Sequence, residues 1–358
     1  MPDDERKPGE APAHKRRPRY SGANPRRFHE KYKELNPQRY AAEVEKIVQS
    51  GKTPAGMHRA IMVEEVLRAL TPTGGDVAID CTLGFGGHAR AILERIRPGG
   101  RLFGLDVDPI ELPRTEARLR AAGFGPDVFV VHRSNFAGLP QVLSKEGLAG
   151  ASIILADLGV SSMQLDNPDR GFTYKASGPL DMRMNPLRGE PASRLIAHLS
   201  EEKLARLLDE HADEPQALAI ATALKKQPIA TTRDVVDGVG VALASARAHA
   251  SQDEIDAAVR RTFQALRIEV NDELSALDTL LRHLPQCLVP GGRVAVLTFH
   301  SGEDRRVKKA FQAGYRDGIY AEVASKVIRP SAQEVRANPR AAAAKLRWAV
   351  RGGREATV

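Results

Sequence analysis

The chain of 358 residues is 42% hydrophobic and carries a formal charge of +8, enough length for about two domains and enough apolar side chains for a sizeable core. No run of about 18 apolar residues occurs, and no apolar stretch follows Met1-Pro2-Asp3-Asp4-Glu5, so neither a membrane span nor a secretory leader is expected and the expected location is the cytoplasm. With only Cys81 and Cys287, a disulfide framework and a cysteine-based zinc site are excluded, and no metal site is expected.

Residues 1–35 are rich in Pro, Arg and charge without apolar periodicity, which reads as a flexible basic arm. Within it, residues 11–30 hold six Lys or Arg against one acid, Glu30, so an anionic partner is in view, although charge alone does not choose between RNA, DNA and acidic protein. A small helix and linker are expected over 36–57: Asn36 caps, Pro37 suits the first turn, Tyr40, Val44, Ile47 and Val48 share a face, and Gly51 stops it. Strands are then expected at Val77–Cys81, Arg101–Asp106, Asp127–Val131 and Ile153–Asp157, with helices near 88–97, 109–122 and 137–147 between them. This βαβ rhythm predicts an α/β fold with a doubly wound, mostly parallel sheet.

After Asp157 the rhythm gives way to about 100 residues of mostly helical periodicity, including Ser200–His211, Glu214–Lys226 and 253–285, before the next strand-like run at Arg293–Phe299. We read an all-helical domain inserted over 166–269, with 58–165 and 270–358 forming the sheet domain. Ala321–Ile328 and Lys345–Val350 close the chain as an expected antiparallel pair.

The run Asp80-Cys81-Thr82-Leu83-Gly84-Phe85-Gly86-Gly87-His88 sits where the first strand passes into a helix, where glycines let backbone approach a ligand. Asp106 ends the next strand 20 residues after Gly86, the place for a carboxylate that accepts both ribose hydroxyls of a nucleoside. Gly84, Gly86 and Ala89 also satisfy the G-x-G-x-x-G/A spacing of NAD-binding folds, so an NAD-dependent dehydrogenase stands as the rival. Asp80, directly before the loop, suits a cationic methionine end better than a pyrophosphate, which favours S-adenosylmethionine and a methyltransferase.

Four later runs narrow this further: Asp157-Leu-Gly-Val-Ser-Ser-Met-Gln-Leu-Asp166, Gly178-Pro-Leu-Asp-Met-Arg-Met184, Arg261-Thr-Phe-Gln-Ala-Leu-Arg-Ile268 and Phe299-His-Ser-Gly-Glu-Asp-Arg305. Together, from about His58 to Arg351, they resemble the RsmH (MraW) family. The resemblance implies a class I, Rossmann-like methyltransferase fold and transfer of a methyl group from S-adenosylmethionine to N4 of a cytidine in the decoding region of small-subunit (16S) rRNA. It implies cofactor contacts at Gly86, Gly87, His88, Asp106, Phe136, Asp157 and Gln164, and the helical insertion as the part that recognises RNA. Naked rRNA or an assembling 30S subunit is then the expected partner, and a homodimer is compatible with it.

Asp157 and His300 are the candidate catalytic residues, Asp157 to orient the cofactor or accept a hydrogen bond from the amine, His300, Ser161 or Ser162 to help at the base edge. No covalent nucleophile is required for an amine target, and neither cysteine lies in a motif suited to one. The bland reading of His300–Arg305 is a capping box of Ser301 with Asp304. Asp181 and Arg183 either pair as a loop clamp or leave the arginine for phosphate. Arg261, Arg267, Arg336, Arg340, Lys345, Arg347 and Arg351 are candidates to track an rRNA backbone, and Trp348 for core packing. Leu83, Phe85 and Gly302 depart from the family's usual residues, as do the alanines at 341–344. A paralogue acting on another RNA base, and an RNA-binding protein without activity, complete the alternatives.

Overall fold

The computed structural model describes residues 60–246 and 250–353; the expected arm and the helix at 36–57 lie outside them. In chain order the first part runs α1 (Val63–Leu70), β1 (Val77–Asp80), α2 (Gly87–Ile96), β2 (Arg101–Asp106), α3 (Glu111–Ala121), β3 (Phe129–Arg133), α4 (Leu139–Lys145) and β4 (Ala151–Asp157). Helices follow: α5 (Ser162–Asp166), α6 (Ala192–His198), α7 (Glu201–Ala212), α8 (Ala217–Lys225), α9 (Thr232–Ala246), α10 (Gln252–Asn271) and α11 (Glu273–Cys287). The chain returns to the sheet with β5 (Leu288–Thr298), α12 (Ser301–Arg316), β6 (Tyr320–Val323), α13 (Ala332–Ala337) and β7 (Lys345–Arg351).

The seven strands form one sheet in the order β3-β2-β1-β4-β5-β7-β6. The first five are parallel, and β7 runs antiparallel between β5 and β6. The order reverses between β1 and β4, and a parallel sheet opens a crevice at the carboxyl ends of its strands at such a point. Both faces are covered, which is why β1, β2 and β4 read as apolar runs rather than alternating ones. Val66, Leu70, Ile92, Leu93, Ile96 and Leu119 pack from α1, α2 and α3 on one face. On the other, Leu277, Leu280, Leu281 and Leu284 form a single stripe of α11, joined by Leu139, Val142 and Phe311. Helices α6 to α10 share a separate core that includes Leu204, Leu208, Ile220, Leu224, Val235, Val239, Phe263 and Leu266.

Three expected boundaries move. The third strand starts at Phe129, because Gly125 closes a turn by accepting from the N–H groups of Val128 and Phe129. The periodic run 253–285 breaks at Asp272, whose φ of 51° ends α10 and redirects α11. Past Val323 the chain leaves the ladder and touches it again through one bridge, Ile328 to Leu346. The capping box also shifts: His300 is the N-cap of α12, and the Glu303 carboxylate accepts from the N–H groups of Phe299 at 2.8 Å and His300 at 3.3 Å. Asp304 is thereby free of the cap and pairs with Arg347 at 2.7 Å and Lys345 at 3.6 Å. Among the described residues no helix is long and apolar enough to cross a membrane.

Candidate functional site

The glycine loop links β1 to α2 at the crevice. Gly86 has a φ of 83°, and a Cβ there would stand 2.9 Å from Thr115 Cγ2, so both backbone and space demand glycine. Three contacts pin the loop to its neighbours. The Gly84 N–H donates to Asp106 Oδ2 at 2.8 Å, Thr115 Oγ1 donates to the Gly84 carbonyl at 2.5 Å, and the Arg118 guanidinium lies 3.6 Å from the Phe85 ring centroid. Phe85 therefore has a stacking partner on α3.

Asp106 closes β2, and besides Gly84 it accepts the Asp108 N–H on Oδ1 at 2.9 Å. Burial pushes its carboxyl up to about 6, against the pull of those N–H donors. Asp80 is 1% exposed, accepts the Thr82 N–H at 3.1 Å and is also pushed up to about 6, chiefly by burial. Asp80 is not part of the cavity wall. The expected contact of this acid with a ligand's ammonium is corrected accordingly: Asp80 sits behind the loop, and its charge acts on His88.

Asp157 ends β4 and faces the loop across the switch point. Its N–H donates to Thr82 Oγ1 at 2.6 Å, and its Oδ2 lies 3.5 Å from His88 Nε2, an ion contact too long for a good hydrogen bond. Burial opposes a charged His88 ring, yet the carboxylates of Asp157 and Asp80 bring its pKa above the ordinary value. Asp157 Oδ1 is buried with no hydrogen-bond partner among the described residues. Gln164 lies on the same wall, with its amide already committed: Oε1 accepts the Ser161 N–H at 3.0 Å and Nε2 donates to Asp108 Oδ2 at 2.9 Å. Phe136 opens a short 3₁₀ turn after β3, capped by Asn135, and its half-buried ring borders the cavity.

These groups share one cavity of about 420 Å³, within the range of small-molecule sites. Gly86, Gly87, His88, Asp106, Phe136, Asp157 and Gln164 all line it, as do Ser161 and Ser162. His300 does not. Its side chain is 8% exposed, with Nε2 3.1 Å from Glu303 Oε1 and off the hydrogen-bond line, so the expectation of His300 at the base edge is corrected to a contact made through Glu303.

Glu303 is on the cavity wall, together with Met184, Arg267, Asn271, Glu273 and Phe299, and only Arg267 of these stood among the sequence candidates. Despite burial, His300, Arg267 and the Phe299 N–H hold the Glu303 carboxyl below the usual range. Arg267 forms a two-pronged pair with Glu273, at 2.8 Å to Oε1 and 2.9 Å to Oε2. The break at Asp272 creates this pair by turning α11 away from α10 beside the six-residue interval that separates the two side chains. Asn271 donates to the Met182 carbonyl and accepts from the Met184 N–H, which draws the 179–184 loop onto the cavity. In that loop Arg183 clamps Asp181 through Nε at 2.8 Å and Nη2 at 2.7 Å.

Four of the five other arginines considered for RNA also have internal partners. Arg261 pairs with Glu214, Arg340 with Asp166 and Arg347 with Asp304, while Arg351 donates to the Leu288 carbonyl; Arg336 is exposed. Trp348 packs against the sheet core, as expected.

Comparison with known proteins joins this site to a family. A protein of Alkaliphilus metalliredigens (strain QYMF) named ribosomal RNA small subunit methyltransferase H 2 is 48% identical over 94% of this chain and 97% of its own length. Ribosomal RNA small subunit methyltransferase H 1 of Lachnoclostridium phytofermentans (strain ATCC 700394 / DSM 18823 / ISDg) is 46% identical over 95% of this chain and 94% of its own. A protein of the same printed name from Agathobacter rectalis is 47% identical over 94% and 98%. Residues 55–352 match the family described as the MraW methylase family, which sets aside the NAD-dependent dehydrogenase, and the chain belongs to that family.

Proposed function

We propose that this protein methylates the N4 amino group of a cytidine in the decoding region of small-subunit rRNA. Asp157 carries the reading: a carboxylate oxygen buried without a partner among the described residues, on a cavity wall shared with the glycine loop, is an acceptor suited to a donor from the substrate.

The methyl donor is S-adenosylmethionine, and the residues present fit it. Asp106 keeps lone pairs beyond those used by Gly84 and Asp108 and can accept two ribose hydroxyls. Gly86 and Gly87 bring bare backbone to the cavity, and Phe136 supplies an apolar ring for adenine. Gln164 serves through its brace to Asp108, the neighbour of the ribose acid. When bound, this donor supplies an electrophilic methyl group on a sulfonium whose departing electron pair stays on sulfur. The chain's own work is positioning and proton handling. Asp157 accepts a hydrogen bond from the amine and takes the proton that nitrogen sheds as its bond to carbon forms. His88, held against Asp157, fixes the direction of that carboxylate.

The helical segment 166–269 is the part we assign to RNA recognition, because Met184 and the end of α10 carry it to the cavity. The arm at 1–35, outside the described residues, adds charge for a phosphate backbone. The substrate is small-subunit rRNA, naked or within an assembling 30S subunit, in the cytoplasm, and a homodimer is compatible with that role. Labelled methyl transfer onto 30S subunits and onto naked 16S rRNA, followed by nucleoside mapping, tests the assignment. N4-methylcytidine in the decoding region is the expected product. Association with rRNA and no transferred label would leave an inactive RNA-binding protein, and label on another base would make this chain a paralogue of different specificity.

A further inference from the structure

Donor binding and proton transfer account for the β2, β1 and β4 ends of the crevice and leave the β5 end without a role. By strand order, β5 lies three strands from β2, roughly 14 Å at ordinary strand spacing. There Arg267, Glu273, Phe299 and Glu303 converge. Taking a guanidinium and two carboxylates out of water is costly even when they are paired, and a wall needed only for closure would be apolar, as Leu277 and Met184 beside them are.

The arrangement has a readable pattern. Arg267 gives Nε and Nη2 to Glu273, and Nη1 stays outside that pair, 3.9 Å from where a Cβ on Gly159 would stand. The Phe299 ring is 3.7 Å from the same point, so ring and guanidinium flank the loop that follows Asp157. Each Glu273 oxygen retains a lone pair beyond its bond to Arg267. Glu303 holds the Phe299 N–H at 2.8 Å and sets the ring's position. An aromatic face beside one donor and one acceptor is how an unstacked base is held and read on its Watson–Crick edge. Cytosine presents an amine donor next to ring acceptors; uracil presents a carbonyl acceptor at the corresponding place.

Resting on the function proposed above, we infer that Arg267 and Glu273 read the edge of the target cytosine while Phe299 stacks on it, so the β5 end selects an amino-pyrimidine over a keto-pyrimidine. Glu303 is a positioning residue for Phe299.

The test uses the full chain, 30S subunits and two competitors, cytidine 5′-monophosphate and uridine 5′-monophosphate. The cytidine nucleotide is expected to inhibit methyl transfer at concentrations about tenfold lower than the uridine nucleotide. Phe299→Leu, which removes no charge, is expected to raise KM for 30S subunits about tenfold, within the range for loss of base stacking. Glu273→Gln is expected to lower kcat/KM about 100-fold and to erase the preference between the competitors. Both variants should keep the wild-type Kd for S-adenosylhomocysteine; Phe299→Leu should also keep the wild-type melting temperature, whereas Glu273→Gln, which leaves Arg267 without its charge partner, should melt lower. Equal inhibition of the wild-type enzyme by the two nucleotides overturns the inference, and so does a wild-type KM in Phe299→Leu. Absence of methyl transfer by the wild-type enzyme would instead defeat the proposed function.

Discussion

The two ends of the cavity are built by different means. At the β1–β2 end, the wall is made of backbone and short acids within one compact stretch: a loop of residues 81–86, Gly87, His88, and Asp106 one strand away. At the β5 end it is made of side chains delivered by three separate segments, Met184, Arg267 with Glu273, and Phe299 with Glu303, most of them tied into buried ion pairs. A donor common to many methyltransferases can be held by a local motif, whereas an acceptor particular to one requires surfaces assembled from distant sequence.

Asp157 stands between the two ends, and replacing it should stop transfer while leaving the donor end able to bind. Asp157→Asn keeps shape and replaces a proton acceptor by an amide; loss of general-base help is worth on the order of 10²- to 10⁴-fold. We expect kcat for transfer onto 30S subunits to fall by about 10³-fold, with Kd for S-adenosylmethionine within a few-fold of wild type. Near-normal turnover in single-turnover assays would remove Asp157 from the chemistry.

Asp106 sharpens the contrast from the donor side. Its carboxyl titrates at about 6, and only the ionised form offers all its lone pairs to ribose hydroxyls. Cofactor affinity should therefore be constant at pH 7–8 and fall toward tenfold per pH unit below about 6, as the free protein takes up a proton that the complex excludes. Asp106→Asn should weaken binding about tenfold at pH 7.5 and flatten that slope. A calorimetric titration series from pH 5 to 8 decides it; an unchanged slope in the variant assigns the proton elsewhere.

The same comparison explains what was legible in the sequence. The sheet was, because buried parallel strands leave continuous apolar runs such as Ile153–Asp157, and so was the loop, because Gly86 answers to a backbone requirement at one position. Phe299, Glu303 and Glu273 were not. Glu303 reads as a first-turn acid of α12, and nothing local shows that its carboxylate turns back to Phe299. Glu273 lay inside what reads as one helix from 253 to 285; the left-handed Asp272 that separates it from Arg267 becomes visible only in the backbone. Asp80 misled in the opposite sense. Its place before the loop suggests a ligand contact, but burial keeps it off the wall.

Asp80 also carries a stability consequence that separates structural from ligand roles. Its folded pKa of about 6 exceeds the ordinary 3.8, so the folded protein retains a proton that the unfolded chain releases between those values. The stabilisation this gives is complete below about pH 4 and is lost as pH rises through 6, a cost on the order of 3 kcal/mol at neutral pH. Asp80→Asn is neutral throughout and should raise the melting temperature of the unliganded protein at pH 7.5 while abolishing the difference at pH 4. A lower melting temperature at pH 7.5 would show that the charge on Asp80, through His88, stabilises the fold.

The smallest expected effect belongs to Phe85. The loop is held by the Gly84 N–H on Asp106, the Thr115 hydroxyl on the Gly84 carbonyl, and the stack of Arg118 on this ring. Only the last depends on the Phe85 side chain, and a partly exposed cation–π contact contributes about 1 kcal/mol. Phe85→Ala should then loosen the loop without dismantling it, raising Kd for S-adenosylmethionine roughly fivefold with kcat unchanged at saturating donor. Arg118→Leu removes the same stack and also the guanidinium's hydrogen bonds to Thr115 Oγ1 and to the Phe85 carbonyl, so it should cost more than Phe85→Ala. If the ring and the guanidinium act as one contact, the double variant should cost no more than Arg118→Leu alone, and additive losses would show that Phe85 contributes to the donor end by packing rather than through Arg118.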